Sequence, residues 1–435
     1  MDLLSLGVYV LPLAVITIYY VVRQRRTHRR HQRVLQEAVA AGMTEPASLH
    51  PVIDPVKCLG CGTCVSACPE TSHHDVLGLI DGKAALIGPT DCIGHGACKT
   101  ACPFDAITLV FGTERRGLDI PVLKPNFESN VPGIFIAGEL GGMGLIKNAL
   151  TQGQQALEAI AKSGRKRPGA LDVLIVGAGP AGLAASLTAK KLGLNYETLE
   201  QEALGGAVFQ YPRGKLVMTA PVELPIIGKV QFRNTSKEKL LEFWNGACTG
   251  NDLRIRYQER VESIENKDGV FHVKTGKRQL VASTVLLGIG RRGTPRKLGV
   301  PGEELPKVVY RLIDPEQYRG QKVIVVGGGD SALEAAASIA ELGDTTVALS
   351  YRGDAFQRAK QRNRQRVDEA SANGRLQVML GSQIKEIRAD EVILTAKGKE
   401  LNLANDAVIV SAGGILPNDF LKSIGIAVET KFGTA

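Results

Sequence analysis

Seven of the eight cysteines lie between Cys58 and Cys102, and four form the motif Cys58-x-x-Cys61-x-x-Cys64-x-x-x-Cys68, which a proline follows. Clustered cysteines favour metal ligation in a reducing compartment over disulfide bonds. Three thiolates at this spacing bind one cubane cluster, and the fourth binds a second cluster. A structural zinc site is the alternative, but it rarely shows this spacing with a trailing proline. The motif therefore predicts an iron–sulfur site.

A second run has the same spacing but places a histidine in the second cysteine position: Cys92-x-x-His95-x-x-Cys98-x-x-x-Cys102. Residues 52–111 resemble a bacterial two-cluster ferredoxin and depart from it at this one ligand. The resemblance implies a first [4Fe–4S] cluster bound by four cysteines, and a second cluster bound by three cysteines with His95 as a potential fourth ligand. The first set is Cys58, Cys61, Cys64 and Cys102, and the second is Cys68, Cys92 and Cys98.

Three interpretations of His95 are open from the sequence. It ligates a [4Fe–4S] cluster through one imidazole nitrogen, or the site holds a [3Fe–4S] cluster and leaves His95 unused, or the second cluster is absent. A neutral imidazole in place of a thiolate makes a cluster less negative. It should therefore raise the reduction potential, as in Rieske centres. An electron would then rest on the second cluster.

A second chemical signal is a glycine-rich turn between an apolar strand, predicted at residues 173–176, and an alanine-rich helix. In its GxGxxG spacing the first glycine makes the turn, the second lets the backbone approach a pyrophosphate, and the third lets helix pack on strand. An acid closes the next strand, near the usual distance for a carboxylate that binds a ribose hydroxyl. A turn without a ligand is the alternative. The predicted dinucleotide-binding residues are Gly177, Gly179, Pro180, Ala181, Gly182 and Glu200.

Another strand, glycine-rich turn and helix begins at residue 322 and has the form GxGxxA. Two such units in one chain predict two dinucleotides, FAD and a nicotinamide. After the next strand, at residues 346–350, arginine stands where an acid would favour NADH. Arginine binds phosphate bidentately, so NADPH is predicted in preference to NADH. The residues predicted for the nicotinamide cofactor are Gly327, Gly329, Asp330, Ser331, Ala332, Arg352 and Arg358.

Two segments resemble parts of thioredoxin-reductase-like flavoproteins but stand in an unusual order. Residues 131–139 resemble the segment that closes the flavin domain at the end of those chains, yet here they precede the first fingerprint. Residues 404–421 resemble the piece that normally comes before that closing segment. The resemblance implies a circularly permuted FAD domain, with an unrelated linker as the alternative. It also implies that Gly138, Glu139, Gly205 and Gly206 contact FAD, although the family usually has aspartate at position 139.

The resemblance extends to ferredoxin–NADP reductases of this fold and, through residues 288–295, to bacillithiol-disulfide reductases. Thioredoxin reductases carry a redox CxxC shortly before the second fingerprint, whereas residues 305–321 contain no cysteine. Bacillithiol-disulfide reductases depend on a cysteine in the first glycine-rich turn, where this chain has Ala181. Cys248 has no cysteine or charged activator beside it and is interpreted as a bystander thiol. Ferredoxin–NADP reductases are therefore the closer resemblance.

Residues 3–22 are apolar and uncharged, and such a run is long enough to span a bilayer. A cleaved signal peptide would need positive charge before the run and a small-residue cleavage site. Arginines follow the run instead, which predicts an uncleaved, single-pass anchor in the inner membrane, with the remaining chain cytoplasmic and the arginines near anionic lipid. The net charge of +9 is concentrated there and after residue 351, so it does not indicate nucleic-acid binding.

These signals predict an α/β protein with two Rossmann-like dinucleotide-binding domains, a small α+β 2[4Fe–4S] ferredoxin domain and one transmembrane helix. A hydrophobic fraction of 44% and a charged fraction of 22% are typical of a globular chain. The predicted divisions are a membrane anchor (1–24), a basic juxtamembrane helix with a linker (25–51), the ferredoxin domain (52–112), the closing segment of the FAD domain (113–164), the FAD domain (170–297), the NAD(P) domain (298–402) and a return to the FAD domain (403–435).

The resemblances together imply a membrane-anchored NAD(P)H oxidoreductase that passes electrons between NADPH, FAD, the 4Fe–4S clusters and a partner. The expected partner is a redox protein of ferredoxin type, or a quinone or cytochrome at the membrane, and a homodimer is left open. Hydride transfer requires no acid–base residue, so no catalytic side chain is predicted. The alternatives are a disulfide reductase and a non-catalytic redox sensor or docking subunit.

Overall fold

The computed structural model divides the chain into two compact units, Met1–Arg116 with Gly433–Ala435, and Gly117–Phe432. Each unit has its own hydrophobic core. The residues that the structure describes are 3–40, 44, 46, 49–72, 75–114, 117–142, 144–217, 221–231, 235–291, 293–357 and 359–433, without the side chains of residues 3–10, 12, 72 and 216.

The first unit combines a long helix with short elements around the cysteine motifs. Its elements are α1 (Leu3–Ala40), β1 (His50–Ile53), α2 (Thr63–Ala67), β2 (Leu77–Ile80), β3 (Lys83–Leu86), α3 (Ala97–Thr100) and β4 (Ile107–Val110). β1 pairs antiparallel with β4, and β2 with β3. A left-handed glycine precedes each of α2 and α3, namely Gly62 and Gly96. The two cysteine motifs thus share one turn-and-helix arrangement.

α1 is continuous across the predicted boundary between residues 24 and 25. Its second half contacts the β2–β3 hairpin. The backbone N–H of Leu79 donates a hydrogen bond to Nδ1 of His31 at 3.0 Å, and Nε of Arg30 lies 2.6 Å from the Asp75 carboxylate. His31 is only 6% exposed. The basic stretch that was expected to face lipid therefore packs, at these two residues, on the iron–sulfur unit.

The structure contradicts the predicted membrane anchor. A spanning helix must present about 20 predominantly apolar residues to the hydrocarbon core. Within the described part of the chain, no helix is both long enough and apolar enough to cross a membrane. This finding overturns the transmembrane helix expected at residues 3–22, the single-pass inner-membrane location and the membrane-anchored description of the function.

The second unit begins with the half that carries the first fingerprint. Its elements are β5 (Leu118–Pro121), β6 (Ile134–Ile136), α4 (Ile146–Lys162), β7 (Val173–Val176), α5 (Pro180–Lys191), β8 (Tyr196–Leu199), β9 (Leu216–Val217), β10 (Val222–Leu224), β11 (Gly228–Val230), β12 (Thr235–Ser236), α6 (Lys237–Gly250), β13 (Ile255–Arg256), β14 (Val261–Lys267), β15 (Val270–Thr275), β16 (Gln279–Ala282) and β17 (Val285–Leu287). The parallel sheet of this half has the strand order β13-β8-β7-β17-β6, and the strand before the turn, β7, is buried along its length.

The early segment that resembles a closing piece is an integral part of this sheet. β6 pairs in parallel with β17, with Ile134 opposite Val285 and Ile136 opposite Leu287. The helix that follows, α4, packs along α5. The contact is close because Gly153 of α4 lies against the backbone of Ala181 in α5. A side chain at position 153 would collide with that backbone, so glycine allows the two helices to meet.

The half that carries the second fingerprint contains β18 (Thr294–Pro295), β19 (Val308–Val309), β20 (Lys322–Val326), α7 (Asp330–Ala340), β21 (Thr346–Tyr351), α8 (Gln361–Ala372), β22 (Leu376–Leu380), β23 (Ser382–Ile387), β24 (Glu391–Ala396), β25 (Lys399–Ala404), β26 (Ala407–Val410), β27 (Gly414–Ile415), α9 (Asn418–Ser423) and β28 (Val428–Lys431). The fingerprint lies in a second parallel sheet of order β19-β26-β20-β21-β22. An antiparallel sheet beside it contains β23, β24 and β25, and β28 pairs antiparallel with β5.

Candidate functional site

A cavity of about 860 Å³ opens at the carboxyl ends of β6, β7, β8 and β17. Ligands of open α/β sheets bind at this edge, outside the carboxyl ends of the strands. Chain segments that are far apart in sequence meet here, from residue 137 to residue 423. Among the residues that line the cavity are most of those predicted for FAD: Gly138, Glu139, Gly177, Gly179, Pro180, Ala181, Glu200 and Gly206.

The turn after β7 brings bare backbone to the cavity wall. Gly177 has φ +101°, and a Cβ there would stand 2.6 Å from the carbonyl oxygen of Gly288, so a side chain is excluded. Gly179 caps α5, and Pro180 is the first residue of that helix. The amides of the first helical turn and the positive end of the helix dipole suit a phosphate group. The turn therefore fits the pyrophosphate of a dinucleotide.

Two of the residues predicted for FAD are not among the lining residues. Gly182 lies against the carbonyl of Gly177, so its missing side chain permits the close packing of helix on turn. Gly205 has φ +107° and donates its N–H to the carbonyl of Ala178 at 2.9 Å. Both glycines support the cavity wall without lining it, and neighbouring residues form the surface that faces the ligand.

Glu200 ends β8 and is 6% exposed. One of its carboxylate oxygens accepts the N–H of Ala178 at 2.7 Å, and the other accepts the N–H of Glu202 at 2.9 Å. Burial raises the pKa of this carboxyl, and the two backbone donors partly offset the rise. The side chain thus holds the glycine-rich turn in place while it lines the cavity. Its predicted bond to a ribose hydroxyl stays a prediction.

The segment after β6 forms the opposite wall. The N–H of Gly138 donates to Oε1 of Gln152 at 2.9 Å, which ties the turn to α4. Sequence reasoning missed Gln152, and it also missed Arg291, which lines the cavity after β17. Neither residue belongs to a spaced motif, although Arg291 follows the glycine-flanked end of a predicted buried strand. The cavity size, the glycine-lined approach and the helix end together fit FAD.

The second fingerprint forms the same type of turn. Gly327 has φ +146°, and Ala332 is buried against the sheet. Asp330 does not point freely into solvent: its Oδ1 accepts the N–H of Lys360 and the side-chain amide of Asn363, both at 2.8 Å. The carboxylate thereby fixes the start of α8 to the start of α7.

The other residues predicted for the nicotinamide cofactor differ in exposure. Gly329 is the N-cap of α7, Ser331 and Arg352 are exposed, and Arg358 lies outside the described residues. Arg352 directly follows β21, at the sheet edge where a bound ribose would lie. The residues of this second turn are not among those that line the 860 Å³ cavity. The two predicted dinucleotide sites are therefore separate.

In the first unit, a small cavity is lined by four of the predicted ligands, Cys58, Cys61, Cys64 and Cys102. Two of these sulfurs accept backbone hydrogen bonds. The N–H of Ala84 lies 3.4 Å from Sγ of Cys58, and the N–H of Ala106 lies 3.4 Å from Sγ of Cys102. Such bonds stabilise thiolate charge and tune cluster potentials.

A second small cavity is lined by Cys68, Cys92, Cys98 and His95. The second-position residue of each motif, Cys61 or His95, is exposed, whereas Cys64 and Cys98 are buried. Burial raises the pKa of the Cys64 and Cys92 thiols to about 11 each, so without iron these sulfurs stay protonated at neutral pH. Iron binding would displace those protons.

The two cavities group the cysteines as a two-cluster ferredoxin would. Among the residues that the structure describes, no set of three or more His, Cys, Asp or Glu side chains is arranged to hold a single metal ion. The two four-residue sets fit cluster binding through their donor chemistry: seven thiols and one imidazole, each set around its own cavity.

Known protein families match both the flavoprotein part and the iron–sulfur part of the chain. The profile of the pyridine nucleotide-disulphide oxidoreductase family matches residues 174–433, and that of a 4Fe-4S dicluster domain matches residues 50–103. A ferredoxin–NADP reductase of Ignicoccus hospitalis is 32% identical over 268 residues, which span 60% of this chain and 83% of the relative. The bacilliredoxin reductase Bdr of Bacillus subtilis is 26% identical over 60% of this chain and 82% of its own length.

Solved structures show the same likeness. The bacillithiol disulfide reductase of Bacillus cereus aligns with a TM-score of 0.53 and 26% identity, over 59% of this chain and 82% of that one. The predicted fusion of a flavoprotein with an iron–sulfur domain is confirmed. Since the family profile covers well over half of the 435 residues, the chain belongs to the pyridine nucleotide-disulphide oxidoreductase family and is an NAD(P)H-dependent FAD oxidoreductase with a 4Fe-4S domain.

Proposed function

We propose that the protein transfers electrons between NADPH and a one-electron carrier protein of ferredoxin type, through FAD and two iron–sulfur clusters. FAD takes up a hydride and can return its electrons one at a time, and each cluster carries one electron. The observation that carries the proposal is the presence, in one chain, of a glycine-lined dinucleotide cavity and of two cavities lined by the ligand sets. Electron flow in either direction is compatible with these sites.

The closing segment supports a circular permutation of the FAD domain. β6 pairs with β17, and Gly138 and Glu139 line the cavity together with Gly177, although they precede it by some forty residues. The alignment with the Ignicoccus relative covers 83% of that protein and 60% of this chain, so part of each protein lies outside it. A segment moved from the end to the front accounts for both observations. In this arrangement the piece that completes the flavin cavity directly follows the iron–sulfur unit.

NADPH is the proposed nicotinamide. Arg352 is exposed immediately after β21, so its guanidinium can reach a ribose phosphate without first breaking a buried contact. Two relatives named ferredoxin–NADP reductase, from Ignicoccus hospitalis and Thermus thermophilus, support this choice. The described part of the chain gives no equivalent carboxylate at the end of β21 that would favour NADH.

The decisive experiment is an anaerobic titration of the purified full-length protein with NADPH. The flavin absorbance should bleach first, and an EPR signal of reduced clusters should follow. NADH serves as the comparison and should bleach the flavin more slowly. If neither nicotinamide bleaches the flavin, the proposal is wrong. If the flavin bleaches but no cluster signal appears under any reductant, the iron–sulfur part is wrong.

A disulfide reductase is the second candidate, because the similar structure from Bacillus cereus is named a bacillithiol disulfide reductase. The chain itself argues against it. Cys248 is buried, and burial raises the pKa of its thiol to about 11, which leaves little thiolate for disulfide chemistry. Reduction of a low-molecular-weight disulfide by NADPH that is lost in Cys248→Ala would revive this candidate. Activity that is absent, or unaffected by the substitution, supports the electron-transfer proposal.

A further inference from the structure

The two cysteine motifs have the same backbone around their second ligand position. The glycines before Cys61 and His95 both have φ +70°, and the glycines after them have φ +79° and φ +84°. Each of those later glycines is the left-handed N-cap of a short helix, α2 or α3. Cys61 and His95 therefore leave equivalent points of the backbone, and each side chain reaches its own ligand cavity.

Cys61 shares hydrogen bonds with the residue two positions later, and in the side-chain bond either its Sγ or the Thr63 hydroxyl can be the donor. Its Sγ lies 2.8 Å from Oγ1 of Thr63. The backbone N–H of Thr63 also donates a hydrogen bond to this sulfur. A thiolate sulfur has several lone pairs, so it can accept these bonds and bind iron at the same time. The turn is thus suited to a sulfur ligand.

His95 meets the equivalent donor with different chemistry. The backbone N–H of Ala97, again two positions later, donates to Nδ1 of His95 at 3.1 Å. A neutral imidazole has one nitrogen that accepts and one that carries a proton. When Nδ1 accepts the amide, its only lone pair is used, and the proton resides on Nε2. Neither nitrogen then has a lone pair for iron.

Ligation by His95 would also conflict with the turn. Binding through Nδ1 would displace the Ala97 amide, which lies in the first turn of α3 and has no carbonyl of that helix to accept it. Binding through Nε2 would place a proton on Nδ1, where it would face the Ala97 N–H, so two donors would oppose each other. The hydrogen bond that suits a thiolate at position 61 therefore competes with iron at position 95.

We infer that the second cluster is held by Cys68, Cys92 and Cys98 alone, and that His95 caps α3 instead of ligating. Three thiolates can hold a [3Fe–4S] cluster, or a [4Fe–4S] cluster whose fourth iron takes a small ligand such as water. The inference rests on the proposed function, because that proposal assigns a cluster to the second motif. It rejects ligation by His95 and an absent second cluster. The second cluster then has no fourth ligand from the protein.

The test uses the full-length protein, isolated without oxygen and labelled with ¹⁵N-histidine. Pulsed EPR of the second cluster should show no strongly coupled histidine nitrogen. His95→Ala should keep the wild-type EPR spectrum and iron content. His95→Cys should give an ordinary four-cysteine cluster. If the wild-type cluster has three irons, His95→Cys should contain one more iron per chain than the wild-type protein. If the wild-type cluster has four, cyanide should shift its EPR signal and leave that of His95→Cys unchanged.

A strongly coupled histidine nitrogen that disappears in His95→Ala would overturn the inference and leave the proposed function intact. Wild-type protein with a single cluster would also overturn it, since the three cysteines would then hold nothing. If His95→Cys showed a single cluster as well, the two-cluster function would fail with it. The labelled wild-type measurement needs no variant, so a folding defect in His95→Ala cannot obscure the outcome.

Discussion

Replacing Gly153 with alanine tests whether the early closing segment is packed into the flavin unit. Gly153 is buried in α4 and faces α5. An added Cβ would stand 2.8 Å from the carbonyl carbon of Ala181 and 3.0 Å from its Cα, and closer still to the carbonyl oxygen. These are backbone atoms, so no side chain can rotate away. The two helices would have to separate.

The sign of the change in stability of Gly153→Ala shows whether helix–helix packing or intrinsic helix propensity dominates at this position. In an unobstructed helix, alanine is more stable than glycine by about 0.5–1 kcal/mol. Overpacking of a tight contact costs about 1–3 kcal/mol. The net expectation for Gly153→Ala is a loss of about 1–2 kcal/mol in the free energy of unfolding. Because Ala181 also lines the 860 Å³ cavity, FAD affinity should fall as its wall moves, by about tenfold for each 1.4 kcal/mol.

Gly246→Ala is the matched control. Gly246 is an exposed residue inside α6, and a Cβ there would meet no atom within 4 Å. Propensity alone predicts a gain of about 0.5–1 kcal/mol for this substitution. Thermal unfolding, followed by the release of FAD fluorescence, should move down for Gly153→Ala and slightly up for Gly246→Ala, by about 2–4 °C for each kcal/mol. FAD dissociation constants complete the comparison.

Equal behaviour of the two variants would refute the reasoning. If Gly153→Ala were neutral or stabilising and bound FAD normally, α4 would not pack on α5 as described. The proposed circular permutation would then lose one of its physical supports. A loss of stability with unchanged FAD affinity would keep the packing but separate it from the cavity wall.

Three further substitutions probe the other sites. Arg352→Ala should raise the KM for NADPH about tenfold and hardly change that for NADH, because it removes one charge-assisted contact of about 1.5 kcal/mol. Glu259→Gln concerns a carboxylate whose pKa is lowered mainly by Arg278, 2.8 Å away. A carboxyl whose pKa is lower in the folded state stabilises that state at pH values above its unfolded pKa, near 4.3. This stabilisation is lost as the pH falls through the folded pKa. The variant should therefore be less stable at pH 7, by about 1–3 kcal/mol, and the difference should shrink below about pH 4. His31→Ala removes the acceptor of the Leu79 N–H and should destabilise the iron–sulfur unit by about 1–3 kcal/mol in denaturant unfolding followed by cluster absorbance.

Matched controls separate these sites from general charge or size effects. Arg362→Ala removes an exposed arginine of α8 and should leave both KM values unchanged. Glu386→Gln breaks an exposed pair with Arg388, which solvent screens, so the stability of the protein should hardly change. His28→Ala removes a histidine that lies 3.8 Å from an exposed aspartate. If each control matched its test variant, the corresponding site assignment would be wrong.

The redox chemistry of the chain was predictable because it depends on spacing within short segments. The thiol motif at Cys58 and the turn at Gly177 each specify backbone geometry over about ten residues, and the structure places both at cavity walls. The strand VLIV and its turn lie where the apolar pattern predicts them. The iron–sulfur fusion and the family are confirmed by comparison. Here local sequence was sufficient because the ligand-binding atoms belong to one turn.

Contacts between distant segments could not be predicted from the sequence. The docking of α1 depends on His31 meeting the N–H of Leu79, 48 residues later. Apolar periodicity gives no sign of such a pair. Gln152 could not be predicted for the same reason, because its role is to hold the turn at Gly138 through a hydrogen bond. The membrane prediction failed for a related reason, since it was drawn from the composition of one segment and the described helices do not meet the requirement for spanning.

Position 95 shows why spacing specifies the place of a ligand but not its chemistry. The second motif keeps the glycines and the left-handed turn of the first, so the backbone still presents an amide two residues after the ligand position. That amide stabilises a thiolate, which has further lone pairs for iron. A neutral imidazole has only one free lone pair, so there the amide competes with iron for it. A cluster with one fewer protein charge should accept an electron more readily than its neighbour. The substitution of histidine for cysteine would therefore make the two clusters unequal while leaving the fold around them the same.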